Sequence, residues 1–137
     1  MTEQLALIIL IGRIAQLADS GDPDDYLDCF TDDAVWDLTD ATGLALETQT
    51  IRGRAALLAG VRSRREAGLQ GPGTHTRHDV SSIVIDVDGD RAQSRSYFRY
   101  YRQTNTQPEL VAMGTYDDSF VRTPSGWRLQ RRVISRD

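Results

Sequence analysis

Lysine is absent from this chain of 137 residues: all 16 basic residues are arginine. That excludes Schiff-base chemistry, a covalently held pyridoxal group and a phosphate loop with its lysine. Cysteine occurs once, at Cys29, so no internal disulfide forms and no zinc site built on several thiolates is available. Histidine occurs only at 75 and 78. Three apart on an extended segment, His75 and His78 point to opposite faces and cannot readily chelate one metal ion, so no metal site is expected. No apolar run reaches the roughly 18 residues of a membrane span, because Gly12 and Arg13 interrupt the first apolar stretch. That stretch also lacks a basic region before it, so no cleavable leader is expected and a cytoplasmic location is.

The charge that is present is unevenly spread. Residues 1–50 carry 11 acids and one arginine, residues 51–137 carry 9 acids and 15 arginines, and the net charge is -4. The net value argues against general nucleic-acid binding, and the asymmetry suggests two halves that face each other within one domain, 1–137.

Helical spacing predicts a first helix from Thr2 to Ala18. Ile8, Ile11, Ala15 and Asp19 follow at intervals of three, four and four, one helical stripe ending in a carboxylate. Gly21 is a plausible C-cap, so Asp19 meets the negative helix end as well as the core. Both disfavour its ionised form. Either Asp19 is a poised acid with a distant partner, or it frays into solvent beside Ser20. Asp22, as N-cap before Pro23, starts a short second helix ending near Phe30. A strand is expected at Ala34 to Leu38, a turn at Thr39 to Gly43, a second extended stretch at Glu47 to Arg52, and a helix from Gly53 to Ala67 with Ala55, Leu58 and Val61 or Arg62 on one side. A glycine-rich loop, 68–73, follows.

Four β-rich runs complete the chain: Val80 to Val87, Arg91 to Gln103, Leu110 to Val121 and Trp127 to Ile134. Helices first and a meander after imply an α+β fold, with three helices packed on one face of a curved sheet. In the long strand Ala92, Ser94, Ser96, Phe98 and Tyr100 form the core-facing set. Arg95, Tyr97, Arg99 and Tyr101 on the other face suit a subunit interface or a wetted surface. His78 opens a strand whose inward set is Ile83, Ile85 and Val87. Strict alternation turns it outward, and a bulge between 78 and 83 turns it in.

The order of short segments resembles the SnoaL-like branch of the nuclear transport factor 2-like superfamily. The segments are Asp19-Ser20-Gly21-Asp22, Phe30-Thr31-Asp32-Asp33-Ala34-Val35-Trp36, Ile51-Arg52-Gly53-Arg54-Ala55, Arg77-His78, Ile83 to Asp90, Ser96-Tyr97-Phe98, Gly114-Thr115-Tyr116 and Gly126-Trp127-Arg128-Leu129. The resemblance implies a cone-shaped α+β barrel, a curved antiparallel or mixed sheet on three helices, usually without a cofactor. Within that branch, scytalone dehydratase and lindane dehydrochlorinase use an aspartate at the end of the first helix with a histidine on the first long strand. Asp19, 17 residues before Trp36, and His78 match them.

The implied activity is a cofactor-independent lyase or isomerase acting on a small hydrophobic cyclic molecule. His78 would remove a proton, and Asp19 would orient and stabilise the imidazolium. Tyr26, Trp36, Tyr100, Tyr116 and Arg131 are candidates for the acid or oxyanion partner, with Phe98 beside them as a pocket wall. Arg131 shares parity with Trp127 and Leu129 and is expected inside, or snorkelling to the rim. The chain departs from its relatives in having Ser82 where the dehydrochlorinase has an asparagine, in lacking the water-holding tyrosine pair of the dehydratase, and in lacking the Arg-x-Asp pattern of limonene epoxide hydrolase. An alternative from another class is a noncatalytic ligand-binding or assembly module, like the β-subunits of ring-hydroxylating dioxygenases. Homodimers or higher oligomers through the outer sheet face fit both readings.

Overall fold

A computed structural model describes residues 2–40 and 49–137. Its elements run α1 (Glu3–Ser20), α2 (Pro23–Leu27), β1 (Phe30–Asp40), β2 (Gln49–Arg52), α3 (Arg54–Glu66), β3 (Arg77–Asp88), β4 (Arg91–Arg102), β5 (Glu109–Thr123) and β6 (Gly126–Arg136). Most of the turn expected at Thr39 to Gly43 lies outside the described residues. Thr39 and Asp40 instead extend β1.

The strands form one mixed sheet in the order β2-β1-β6-β5-β4-β3. The β1 and β6 pair is parallel and the other pairs are antiparallel. The sheet curves around the helices without closing, so the expected barrel is an open one.

Local chemistry places the first two helices. Thr2 caps α1 by accepting the Leu5 amide at 3.2 Å. Asp22 caps α2 by accepting the Asp24 amide at 2.8 Å, with Pro23 in the first turn. At Gly21 the backbone is extended, and space rather than conformation demands glycine: a Cβ there would stand 2.8 Å from the Leu17 Cα. The sharp exit that follows brings α2 back against the core, where Tyr26 and Leu27 are buried.

Helix α1 buries Leu7, Leu10, Ile11, Ile14 and Ala18, mostly against β3, while Ile8 is 44% exposed. The expected stripe through Ile8 is therefore displaced, because the centre of the buried face lies along 7, 11, 14 and 18. Asp19, one position beyond Ala18 and about 100° further around the helix, sits at the edge of that face. On α3 Val61 is buried and Leu58 packs half-buried against the core, as expected, but Leu57 completes the face in place of Ala55, and Ala55 and Arg62 are exposed.

A main core cluster joins α1, α2 and α3 to Ala34, Ala92, Phe120, Trp127 and Leu129. A smaller one contains Leu38, Phe98, Tyr116 and Ile134, with Trp36 and Val80 packed against both. Gly114 lets β5 and β6 approach closely under Phe98: a Cβ there would lie 2.9 Å from the Phe98 ring and 3.0 Å from the Arg136 Cα.

Candidate active site

Two bulges decide which polar residues face the helices. On β3, Ser81 pairs with Tyr97 and Val84 with Arg95, so Ser82 and Ile83 together oppose Ser96. Ser82 adopts φ +53°, the left-handed conformation of a bulge residue. This extra residue inverts the alternation, so His78 and Val80 face inward together with Ile83, Ile85 and Val87. The bulge foreseen as a condition for an inward His78 is therefore present.

Helix α1 runs antiparallel to β3 and delivers Asp19 to the start of that strand. The Asp19 Oδ1 lies 2.7 Å from His78 Nδ1, and both carboxylate oxygens accept the His78 backbone amide at 3.1 Å. Both side chains are largely enclosed, 13% exposed for Asp19 and 17% for His78. In the tautomer whose Nδ1–H donates to the Asp19 carboxylate across the 2.7 Å contact, the ring's lone pair lies on Nε2. The alternative in which Asp19 frays into solvent does not occur. Helix α1 has no basic residue in its last turn, but Arg65 of α3 donates to the Leu17 carbonyl at 3.2 Å and brings positive charge to that end.

The aromatic candidates gather around the pair to different degrees. The Tyr100 ring packs on His78 at a centroid distance of 4.6 Å, and its hydroxyl donates to the Leu69 carbonyl, which engages its proton. Phe98 and Tyr116 stack at 4.5 Å, and Tyr26 packs on Phe30 at 4.9 Å. Trp36 lies under the Arg64 guanidinium at 5.5 Å. Burial pushes the Tyr26 phenol up, and pushes that of Tyr116 up to about 12, with Arg132 opposing both only in part. At neutral pH they are protonated donors.

Arg131 is not an inward residue. On β6, Leu129 pairs with Phe120 and Arg131 with Ser119, leaving Gln130 as the extra residue. The bulge turns Arg131 out to an ion pair with Asp37 at 3.0 Å, and it lines a groove of about 430 Å³ with Asp33, Arg52, Gln93 and Ser119. Arg132 takes the inward place instead. Its guanidinium bonds Asp118 through Nε and Nη2, both at 2.9 Å, and lies 3.8 Å from the Tyr116 ring centre. Both partners are buried, with side chains 6% and 0% exposed. Burial alone would lower the arginine, but the Asp118 charge more than reverses this and holds it above its ordinary range.

Sequence reasoning missed Arg132, Asp118 and Arg64. Asp118 was readable, since Gly114, Tyr116, Asp118 and Phe120 alternate onto one face. A carboxylate in such a set calls for a buried cation. Among the described residues no group of three or more His, Cys, Asp or Glu side chains could hold a metal ion. No helix there is long and apolar enough to cross a membrane.

A family model for the SnoaL-like domain matches residues 2–133. The chain belongs to the SnoaL-like family. Protein Rv2910c of Mycobacterium tuberculosis is 41% identical over 58 residues, which cover 41% of this chain and 40% of that relative, so the match spans less than half of each. Among solved structures, a nuclear transport factor 2-like protein with a cystatin-like fold from Novosphingobium aromaticivorans has a TM-score of 0.78 at 27% identity, covering 98% of this chain and 81% of that one. A candidate scytalone dehydratase from the same organism has a TM-score of 0.71 at 20% identity, with 98% and 84% covered. The β-subunit of a candidate aromatic-ring-hydroxylating dioxygenase, also from that organism, has a TM-score of 0.76 at 19% identity, with 98% and 88% covered. These last two are similar in fold alone.

Proposed function

We propose that this SnoaL-like protein is a cofactor-independent lyase or isomerase, of dehydratase, dehydrohalogenase or cyclase type, acting on a small hydrophobic cyclic substrate. The observation that carries the reading is the enclosed 2.7 Å contact between Asp19 and His78 Nδ1, which leaves Nε2 as the acceptor. In this reading Nε2 takes a proton from a substrate carbon, and Asp19 steadies the imidazolium. The neutral phenols of Tyr26 and Tyr116 are suited to hydrogen-bond the oxygen on which charge develops. Loss of water or halide, migration of a double bond, or ring closure then completes the reaction.

Proton abstraction is measurable before the final step is known, as exchange of carbon-bound hydrogen from a panel of cyclic ketones in deuterated water, followed by NMR. His78→Ala is expected to lower the exchange rate by about 10²-fold or more. Asp19→Asn fills the same space but lacks the charge, so it is expected to lower the rate strongly while leaving substrate affinity nearly unchanged. If both variants match the wild type, the dyad has no catalytic role, and a binding or assembly function takes its place. Self-association through Arg95, Tyr97, Arg99 and Tyr101 belongs to the same proposal. It is supported by a Tyr97 that stands 54% exposed between two arginines on the sheet face opposite the helices.

A further inference from the structure

Whereas Asp19 lies at the edge of the buried face of α1, a charged residue of α3 continues the buried stripe itself. On α3, Leu57 and Val61 are buried, and Arg64 follows at the next helical interval, partly buried on the same side. Its side chain folds back along the helix. One terminal nitrogen lies 3.1 Å from where a Cβ on Gly60 would stand, so the glycine makes the space. The guanidinium rests over Trp36 at 5.5 Å.

Of the other arginines on α3, Arg54 pairs with Asp24 and Asp28, Arg65 donates to Leu17, and Arg62 is exposed to solvent. Arg132 is fully paired with Asp118. The Arg64 carbonyl accepts the Leu69 amide at 3.0 Å, but its guanidinium has no ion-pair or hydrogen-bond partner among the described residues. Desolvation lowers its pKa, and the phenols of Tyr26, Tyr100 and Tyr116 are near enough to act on it. Tyr100 connects the two groups: its ring lies on His78, and both the Asp19 and Arg64 charges reach its phenol.

A guanidinium partly withdrawn from water, with its nitrogens still reaching solvent and no counter-charge beside them, is open to a ligand anion that would supply the missing interaction. Its donors form a planar fork matched to a carboxylate, and Trp36 forms a flat wall beside the fork. We propose that Arg64 is the specificity residue for the substrate's carboxylate, so that the molecule presented to His78 is an aromatic or other cyclic carboxylic acid. The proposal rests on the dyad reading for its reaction, but not for its binding.

Binding can be read from the two indole N–H resonances in a ¹⁵N–¹H NMR titration. Trp36 lies beside Arg64, whereas the Trp127 indole is bonded to Glu3 at the far end of α1 and serves as the internal control. 2-Naphthoate is the probe, and its uncharged isostere 2-naphthamide is the comparison. The naphthoate is expected to shift the Trp36 signal saturably, with an affinity at least about tenfold above that of the amide. Arg64→Gln is expected to abolish the preference, and Arg64→Lys to retain part of it. Asp19→Asn and His78→Ala are expected to keep it, which separates this claim from the catalytic one. Equal affinities for acid and amide, a preference unchanged in Arg64→Gln, or no binding of naphthoate by the folded protein would each overturn the proposal.

Discussion

Removing the charge of Asp118 while leaving Arg132 in place tests the buried polar core directly. The two side chains are 0% and 6% exposed and exchange two bonds of 2.9 Å, so neither has water to fall back on. In Asp118→Asn the guanidinium keeps one weak acceptor and loses its counter-charge. Breaking a buried pair in this way costs about 3–5 kcal/mol, a large part of the roughly 5–15 kcal/mol that stabilises a domain. For 137 residues, an unfolding entropy of about 2.1 cal/mol/K per residue is about 0.29 kcal/mol/K, so the middle of that range lowers Tm by about 14 °C. The paired replacement Asp118→Leu with Arg132→Met removes both charges and refills the space, and is expected to lie within about 1–2 kcal/mol of wild type. Urea unfolding of the single and double variants, followed by circular dichroism, gives the coupling energy. A single-variant loss below about 1 kcal/mol, or a double variant as damaged as the two singles combined, would refute the account of this pair as a mutually dependent unit.

Deleting Ser82 removes the bulge, turns His78 outward and is expected to abolish the downfield Nδ1 proton resonance of the bond to Asp19; Ser82→Gly relieves the φ of +53° and is expected to add about 1 kcal/mol or slightly more to stability. An unchanged resonance in the deletion variant would refute this use of the bulge. The folded state holds the Tyr116 phenol at about 12 against an ordinary 10.0, so it binds this proton more tightly than the unfolded chain does. That contribution is complete below pH 10 and is lost as pH rises towards 12, at up to about 1.4 kcal/mol per pH unit. Alkaline difference spectra should therefore show a late phase that Tyr116→Phe removes, with Tyr26 also raised, whereas all five phenols titrating in a single phase would contradict it. If the outer face of β4 is a subunit contact as proposed, replacing Tyr97 and Tyr101 jointly with Glu is expected to lower the mass seen in light scattering, since it removes two aromatic contacts and adds two charges that must be desolvated, and an unchanged mass would mean that the face is merely wetted.

Local rules account for the parts of the molecule that depend on near neighbours. The cap at Asp22 and the strand pattern of β4 follow from periodicity and turn chemistry expressed within a few residues, whereas Thr2, expected as the first helical residue, caps α1 instead, and β1 and β2 precede α3 rather than following all three helices. Asp19 was legible as an odd acid on an apolar stripe, although the stripe itself is rotated, because α1 and its contact with β3 set which of several apolar positions becomes the centre. Pairing between strands is another matter, since one added residue inverts every side chain beyond it. At Ser82 the inversion brings His78 to Asp19, and at Gln130 it sends Arg131 out and Arg132 in. Neither bulge has a Gly or Asn to mark it, because each is set by the register against the neighbouring strand rather than by the conformational preference of its own residue. The Asp19 and His78 pair was therefore legible as two residues, and their contact exists because a helix end and a strand start, 59 positions apart in sequence, are brought together by packing.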